Sequence, residues 1–233
     1  EDDSPERRIS IPAAGFKDVE WHVDFQDAFR ETDLATLSLD AEYPDGRSAG
    51  RLSLDFRGHA TLPMLLSKYE TKYRIPIENV DRWNRTVAAG AKVDIRVTDR
   101  KTLEMETVFQ RDGDKWTYPA FPLSEDCDPG KCSAIVVRVR CPQQGDLRMF
   151  VWEGFGSAGY LTQNSIVPSD GEGYSVNIPL DEFSMSPLHR ADSNGKLDPE
   201  NINCLSIGMN TTQQKCLIEI SDIYFVGGKK SDK

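Results

Sequence analysis

Nowhere in the 233 residues is there an apolar run of about 18, the length a helix needs to cross a bilayer, so the sequence offers no membrane-spanning helix. Basic charge is short too. Lys and Arg number 28 against 38 Asp and Glu, a net charge of -10, and a field of that sign repels a nucleic-acid phosphate backbone. The two basic groupings, Arg138 to Arg140 and the terminal "GGKKSDK", read as outward positions on a strand and a solvated tail. Histidine is scarce: His22, His59 and His189 are scattered and form no ligand pair, which leaves the cysteines without the partners a zinc site requires. The signatures of several enzyme classes are absent as well. There is no Gly-x-Ser-x-Gly elbow, no His-x-x-x-His pair and no Gly-rich phosphate loop, and "GKCS" lacks the upstream glycine and the strand-to-helix setting.

No cysteine occurs before Cys127; the others are Cys132, Cys141, Cys204 and Cys216. "CDPGKC" places Pro-Gly in a turn between two thiols, a geometry a disulfide can staple, and Cys204 and Cys216 flank what reads as a hairpin. Other pairings are equally open. Such spacing favours an oxidising compartment over five reduced thiols. The sequons at Asn84 and Asn210 carry meaning only in a eukaryotic secretory route. Residues 1–9 read as a charged leader rather than a signal peptide, and 229–233 as a tail.

Helical periodicity is nearly missing, and period-two alternation replaces it. Leu34, Leu37 and Leu39, then Leu52, Leu54 and Phe56, Val93, Ile95 and Val97, Leu147, Met149 and Val151, and Val176, Ile178 and Leu180 fall mostly at every second position. Strands with one face on a core and one in water alternate in this way. "PDGRSAG", "PQQGD", "SDGEG" and "DSNGK" punctuate them as turns. The phrase "YRIPI" near residue 75 returns as "VNIPL" near residue 178, and Trp21 and Trp116, then Pro44 and Pro142, fall at corresponding places when the halves are aligned. This predicts an all-β chain of two tandem antiparallel β-sandwich units, residues 10–112 and 113–228, against the alternative of one larger sandwich.

The second half carries a closer likeness. Val176, Ile178, Pro179, Leu180 and Phe183, then Leu197, Asp198, Ile202, Leu205 and Ile207, then Ile218, Ile220, Asp222, Ile223 and Phe225 resemble the C-terminal half of galactose-binding-like jelly rolls, among them carbohydrate-binding modules. Where that pattern often has Trp ahead of the Ile-Pro-Leu strand, this chain has Gly173 and Tyr174. The resemblance implies a jelly roll that binds a glycan, interacts with a protein or is purely structural. It also implies a structural Ca2+ near the first and last strands, which here points to Asp222 and, by analogy, Asp114; no cofactor is required. The loop "DSNGKLDPEN" has Lys196 where an EF-like ligand belongs and reads as a turn.

A sugar site needs an aromatic plate for the apolar C–H face of a pyranose and polar groups for its hydroxyls. "FVWEGFGSAGYLTQN" offers Trp152, Phe155 and Tyr160 with Glu153, Gln163 and Asn164 in a Gly-rich setting, and Trp83 with Arg82 is a second candidate in a polar loop. Trp21 and Trp116 read as core. For a glycosidase, carboxylates at i and i+2 occur at Glu104/Glu106 and Asp40/Glu42, on the polar face of alternating strands. The expectation is therefore a non-catalytic, secreted, periplasmic or cell-surface binding module for an unidentified glycan, free-standing or part of a larger carbohydrate-active protein. A structural or protein-interaction sandwich is the alternative, and a jelly-roll lyase or hydrolase the second.

Overall fold

A computed structural model describes residues 34–43, 45, 47–57, 60–154, 156–190 and 192–229. Strands β1 (Leu34–Glu42) and β2 (Ser48–Arg57) pair with each other as an antiparallel ribbon. Helix α1 (Leu62–Ser67) follows, then β3 (Tyr69–Arg74), β4 (Lys92–Val97) and β5 (Leu103–Val108). Next come β6 (Trp116–Thr117), β7 (Ala120–Pro122), β8 (Ala134–Arg140), β9 (Asp146–Trp152) and β10 (Ala158–Thr162). The last are β11 (Gly173–Pro179), β12 (Phe183–Arg190), β13 (Cys204–Asn210) and β14 (Lys215–Lys229).

Apart from the ribbon, the strands form two six-stranded antiparallel sheets. The first runs β11-β8-β14-β5-β4, with β3 also on β14; the second runs β12-β10-β9-β13-β6, with β7 also on β13. One set of alternate side chains from each sheet meets in a shared interior: Ile135, Val137 and Val139 of β8 and Leu103 and Met105 of β5 face Leu147, Met149 and Val151 of β9 and Leu205, Ile207 and Met209 of β13. All are buried. At roughly 1.5–3 kcal/mol for each large apolar side chain removed from water, this layer dominates the stability of the sandwich. Thr107 and Thr117 share a 2.9 Å hydrogen bond across it, so these two buried hydroxyls satisfy each other.

The all-β antiparallel expectation is borne out: among the described residues the only α-helix is the six-residue α1. The division expected between residues 112 and 113 needs correction. Strands β3, β4 and β5 precede it, yet β3 and β5 both pair with β14, and Ile75, Ile77, Ile95, Leu103 and Met105 share one core with Phe121, Ile178 and Phe225. Both Ile-Pro phrases thus serve the same interior. The reason is the length of β14: 15 residues give one strand room to receive β5 along its first part and β3 along its last.

The cysteine pairings also need correction. All five thiols are free. Cys216 lies in the shared core on the first sheet, whereas Cys204 belongs to an apolar cluster on the second, so the two do not face each other across a hairpin. Burial pushes the thiols up, Cys127 and Cys204 to about 12 and Cys132 and Cys216 to about 11, which keeps them protonated at neutral pH. Residues 1–9, Trp21, His22, Pro44, His59 and residues 230–233 lie outside the described residues.

Candidate functional site

A strand buried on one side should alternate, but β9 reads Leu147-Arg148-Met149-Phe150-Val151-Trp152, with apolar residues of both parities. Leu147, Met149 and Val151 enter the core, so Phe150 and Trp152 stand on the opposite, outward face of the second sheet. There they join Ala120, Leu161 and Cys204 in a separate apolar cluster, with Tyr118 packed against it. The register fixes the order along the sheet: Trp152 lies opposite Cys204, Phe150 opposite Ser206, Arg148 opposite Gly208 and Asp146 opposite Asn210.

The rings are arranged by their contacts. Phe150 and Trp152 stack with centroids 5.4 Å apart and planes 13° apart, Tyr118 meets Phe150 edge-on at 5.1 Å, and His189 meets Trp152 edge-on at 4.8 Å. The Trp152 indole N–H donates to Ser206 Oγ at 3.3 Å. Two glycines clear the sheet for these rings. A Cβ on Gly159 would fall 2.7 Å from the Trp152 indole, and one on Gly208 would fall 1.9 Å from the Thr117 carbonyl and 2.6 Å from the Tyr118 ring.

At the Cys204 end the cluster opens into a cavity of about 620 Å³. Its apolar lining includes Ala120, Pro122 and Cys204, and Asp81, Arg82, Asn84 and Asn203 supply its polar groups. That volume lies within the range of small-ligand sites, which combine apolar walls with a few fixed polar groups. Arg82 is held in place, its guanidinium 4.7 Å from the Phe121 ring and one N–H donating to the Pro122 carbonyl at 2.7 Å. Asn84 exchanges both backbone hydrogen bonds with Ala120. The Asn203 side chain accepts from the Gly154 amide at 3.3 Å, and its own backbone N–H donates to the Trp152 carbonyl.

Of the residues expected from sequence, the structure brings Trp152 and Arg82 to this region. Trp152 is not a bare plate: it is 6% exposed and Phe150 9%. Trp83 is 2% exposed, donates its indole N–H to the Ile77 carbonyl and packs on Phe121, so it caps the core and touches the cavity only as lining. Tyr160 is buried in the core, its hydroxyl donating to Asp192 and to the Lys196 carbonyl; burial first, then the Asp192 hydrogen bond, pushes the phenol up. Glu153 accepts from the Asp198 amide and anchors the 192–198 loop, its carboxyl pushed up first by burial. Gln163 and Asn164 are exposed in the turn after β10 and do not line the cavity. Phe155 lies outside the described residues.

The two residues named for a metal have different surroundings. Asp222 sits mid-strand in β14, 3.7 Å from the Arg74 guanidinium, whereas Asp114 is exposed in the turn after β5, whose end pairs with Lys215 at the start of β14. Seven residues of strand, about 23 Å at 3.3 Å each, separate Asp222 from that start. Among the described residues no group of three or more His, Cys, Asp or Glu is placed to hold an ion. Tyr118, Asp146, Arg148, Phe150 and Asn203 went unforeseen; the unbroken apolar parity of "MFVW" is the signal that marks a second covered face.

No family model matches the chain, and no curated protein matches it. Solved structures do. The family 11 carbohydrate-binding module from Clostridium thermocellum, in complex with a β-1,3-1,4-mixed-linked tetrasaccharide, aligns at a TM-score of 0.53 and 21% identity over 68% of this chain and 97% of that one. The family 11 module of the cellulosomal cellulase Lic26A-Cel5E of Clostridium thermocellum aligns at 0.55 and 19% identity, over 70% and 98%. At these identities the likeness shows the fold: a jelly roll of the kind found in carbohydrate-binding modules.

Proposed function

We propose that the chain is a non-catalytic glycan-binding module whose ligand lies on the outward face of the second sheet and enters the adjoining cavity. The observation that carries this reading is an aromatic cluster on the side of the sheet that the sandwich core does not need, continuous through Ala120 and Cys204 with a cavity bordered by Asp81, Arg82, Asn84 and Asn203. Apolar floor and fixed polar groups together match the two-sided chemistry of a pyranose. The shared fold with modules solved as carbohydrate binders supports it. A location outside the cytoplasm, alone or attached to a larger carbohydrate-active protein, belongs to the same proposal, since polysaccharides are met there.

The Glu104/Glu106 pair does not favour hydrolysis. Glu104 is engaged by Arg96 at 2.6 Å and Glu106 by Lys215 at 2.8 Å, so both are spent on ion pairs along the first sheet. Tyr69 is buried and donates its hydroxyl proton to Asn177 Oδ1, which does not suit the base of a lyase.

Affinity electrophoresis across a polysaccharide panel tests the proposal. At least one polymer retards the protein, and Asp81→Ala and Asn84→Ala, which alter the cavity without touching the core, each weaken that retardation several-fold. A protein that runs unretarded through every polymer, and stays silent on a glycan array at millimolar ligand, overturns it. The close cover on Trp152 and Phe150 favours a second reading, an aromatic cap with a purely structural role. In that case the cavity variants change no ligand response, while Trp152→Ala lowers stability by about 3–5 kcal/mol.

A further inference from the structure

We infer that the binding face extends along β9 to a second polar subsite, formed by Arg148 and Asp146, which takes a neutral sugar ring with free adjacent hydroxyls and rejects uronate and sulfated rings. The inference rests on the glycan-binding reading of this face.

Arg148 and Asp146 share the outward parity of Trp152 and Phe150, so the four residues make one line along the strand. From Trp152 to Asp146 the line runs six residues, about 20 Å at 3.3 Å each. At its far end the Arg148 Nε–H is the one buried side-chain N or O atom among the described residues that has no hydrogen-bond partner. Buried polar groups in native proteins are nearly all paired, so an unpaired guanidinium N–H beside an aromatic cluster marks the place of an incoming acceptor. The side chain as a whole is 27% exposed, so a small turn of the guanidinium brings that buried N–H to the surface.

The neighbouring groups decide which acceptor fits. Asp146 Oδ2 lies 3.5 Å from Arg148 Nη2, and its side chain is 65% exposed. A carboxylate paired with the same guanidinium thus flanks the vacant donor. An isolated guanidinium edge suits an anion held through two parallel N–H groups, but here Asp146 already occupies the approach to one nitrogen and repels a second negative charge. A hydroxyl has no such conflict. It accepts from Nε–H, while it or its neighbour on the ring donates to Asp146. Tyr118 completes the wall. Burial first, with Asp146 acting in the same direction and Arg148 opposing, pushes its phenol up to about 12, so it faces a ligand uncharged at neutral pH.

The test compares neutral with anionic polymers: hydroxyethyl cellulose and mannan against carboxymethyl cellulose, alginate and polygalacturonate. Affinity electrophoresis and calorimetry on the whole chain read the binding, and thermal unfolding checks the fold of each variant. The wild type is expected to bind neutral polymers at least tenfold more tightly than anionic ones. Arg148→Lys keeps the charge but removes Nε, and should weaken neutral binding about tenfold. Asp146→Asn removes the repulsion and should narrow the neutral-to-anionic preference several-fold, a change in selectivity that a merely structural role would not produce. Wild-type preference for the anionic polymers, or unchanged binding and selectivity in both variants while the Asp81 and Asn84 variants lose affinity, overturns this inference and leaves the glycan reading standing. Failure of the wild type to bind any polymer overturns both.

Discussion

Gly159 and Gly208 show how single residues shape the outward face. Each occupies a point where a side chain would meet something, but the obstacles differ in kind. At Gly159 the added carbon would press on the Trp152 indole, which can tilt about its own side-chain bonds; at Gly208 it would press on the Thr117 carbonyl, which cannot move without its strand. Gly159→Ala is therefore expected to lower stability by about 1–3 kcal/mol, the usual cost of overpacking, and to disturb the Trp152 signal in near-ultraviolet circular dichroism. Gly208→Ala should cost more, because β6 must separate from β13. Denaturant titration of the two variants checks the order, and an equal or reversed order would contradict the seating of the rings described above. Neither glycine stood out in the sequence, since an isolated glycine in a strand marks a close approach without naming what approaches.

The element whose geometry matters most is β14. Ile220 pairs opposite Val139 and Asp222 opposite Arg138, so Ser221 is an extra residue with no partner of its own on β8. This bulge changes the phase of the strand: Cys216, Ile218 and Ile220 face the core before it, and Ile223 and Phe225 after it. Without the bulge, one of the two sets would point to solvent. Deleting Ser221 is expected to leave Ile223 opposite Val137 and Phe225 opposite Ile135 in a regular strand that still unfolds cooperatively, whereas inserting one residue after Ser221 should turn Ile223 and Phe225 outward and abolish cooperative unfolding; Ser221→Ala should stay within about 0.5 kcal/mol of the wild type, the range of substitutions that break no specific contact. The phase change was legible in the sequence, where "CLIEISDIYF" shifts its apolar spacing at Asp222. The cause was not, since a bulge is a relation between two strands.

At the scale of the molecule, first-half strands complete a second-half sheet. Removing residues 1–112 takes away β3, β4 and β5 and strips the edge of β14 that they cover, together with the buried Leu103 and Met105 side chains packed on Ile218 and Ile220. A fragment of residues 113–233 is therefore expected to show no cooperative thermal transition and poor amide dispersion in NMR spectra. Independent folding of that fragment would restore the two-unit reading. The apparent repeat misled because alternation, turns and Ile-Pro endings are what any antiparallel strand with a polar face produces, whichever core it serves.

What the sequence determined by itself is the local chemistry: short alternating strands, turns at "PDG", "SDGEG" and "DSNGK", and the Ile-Pro-Leu and Asp-Ile-x-Phe phrases of a jelly roll all follow from how side chains alternate along an extended backbone. What only the tertiary structure decided is partnership. Cys204 and Cys216 lie close in the chain yet in opposite sheets, Trp83 turned from a polar loop into the core, and Phe150, Tyr118 and Arg148 met on a face that no single strand could reveal. Alternation says that a strand has two sides; which side is buried, and against what, is set by pairings between residues far apart in sequence, where the free energy of burial is gained only once the sheets have closed.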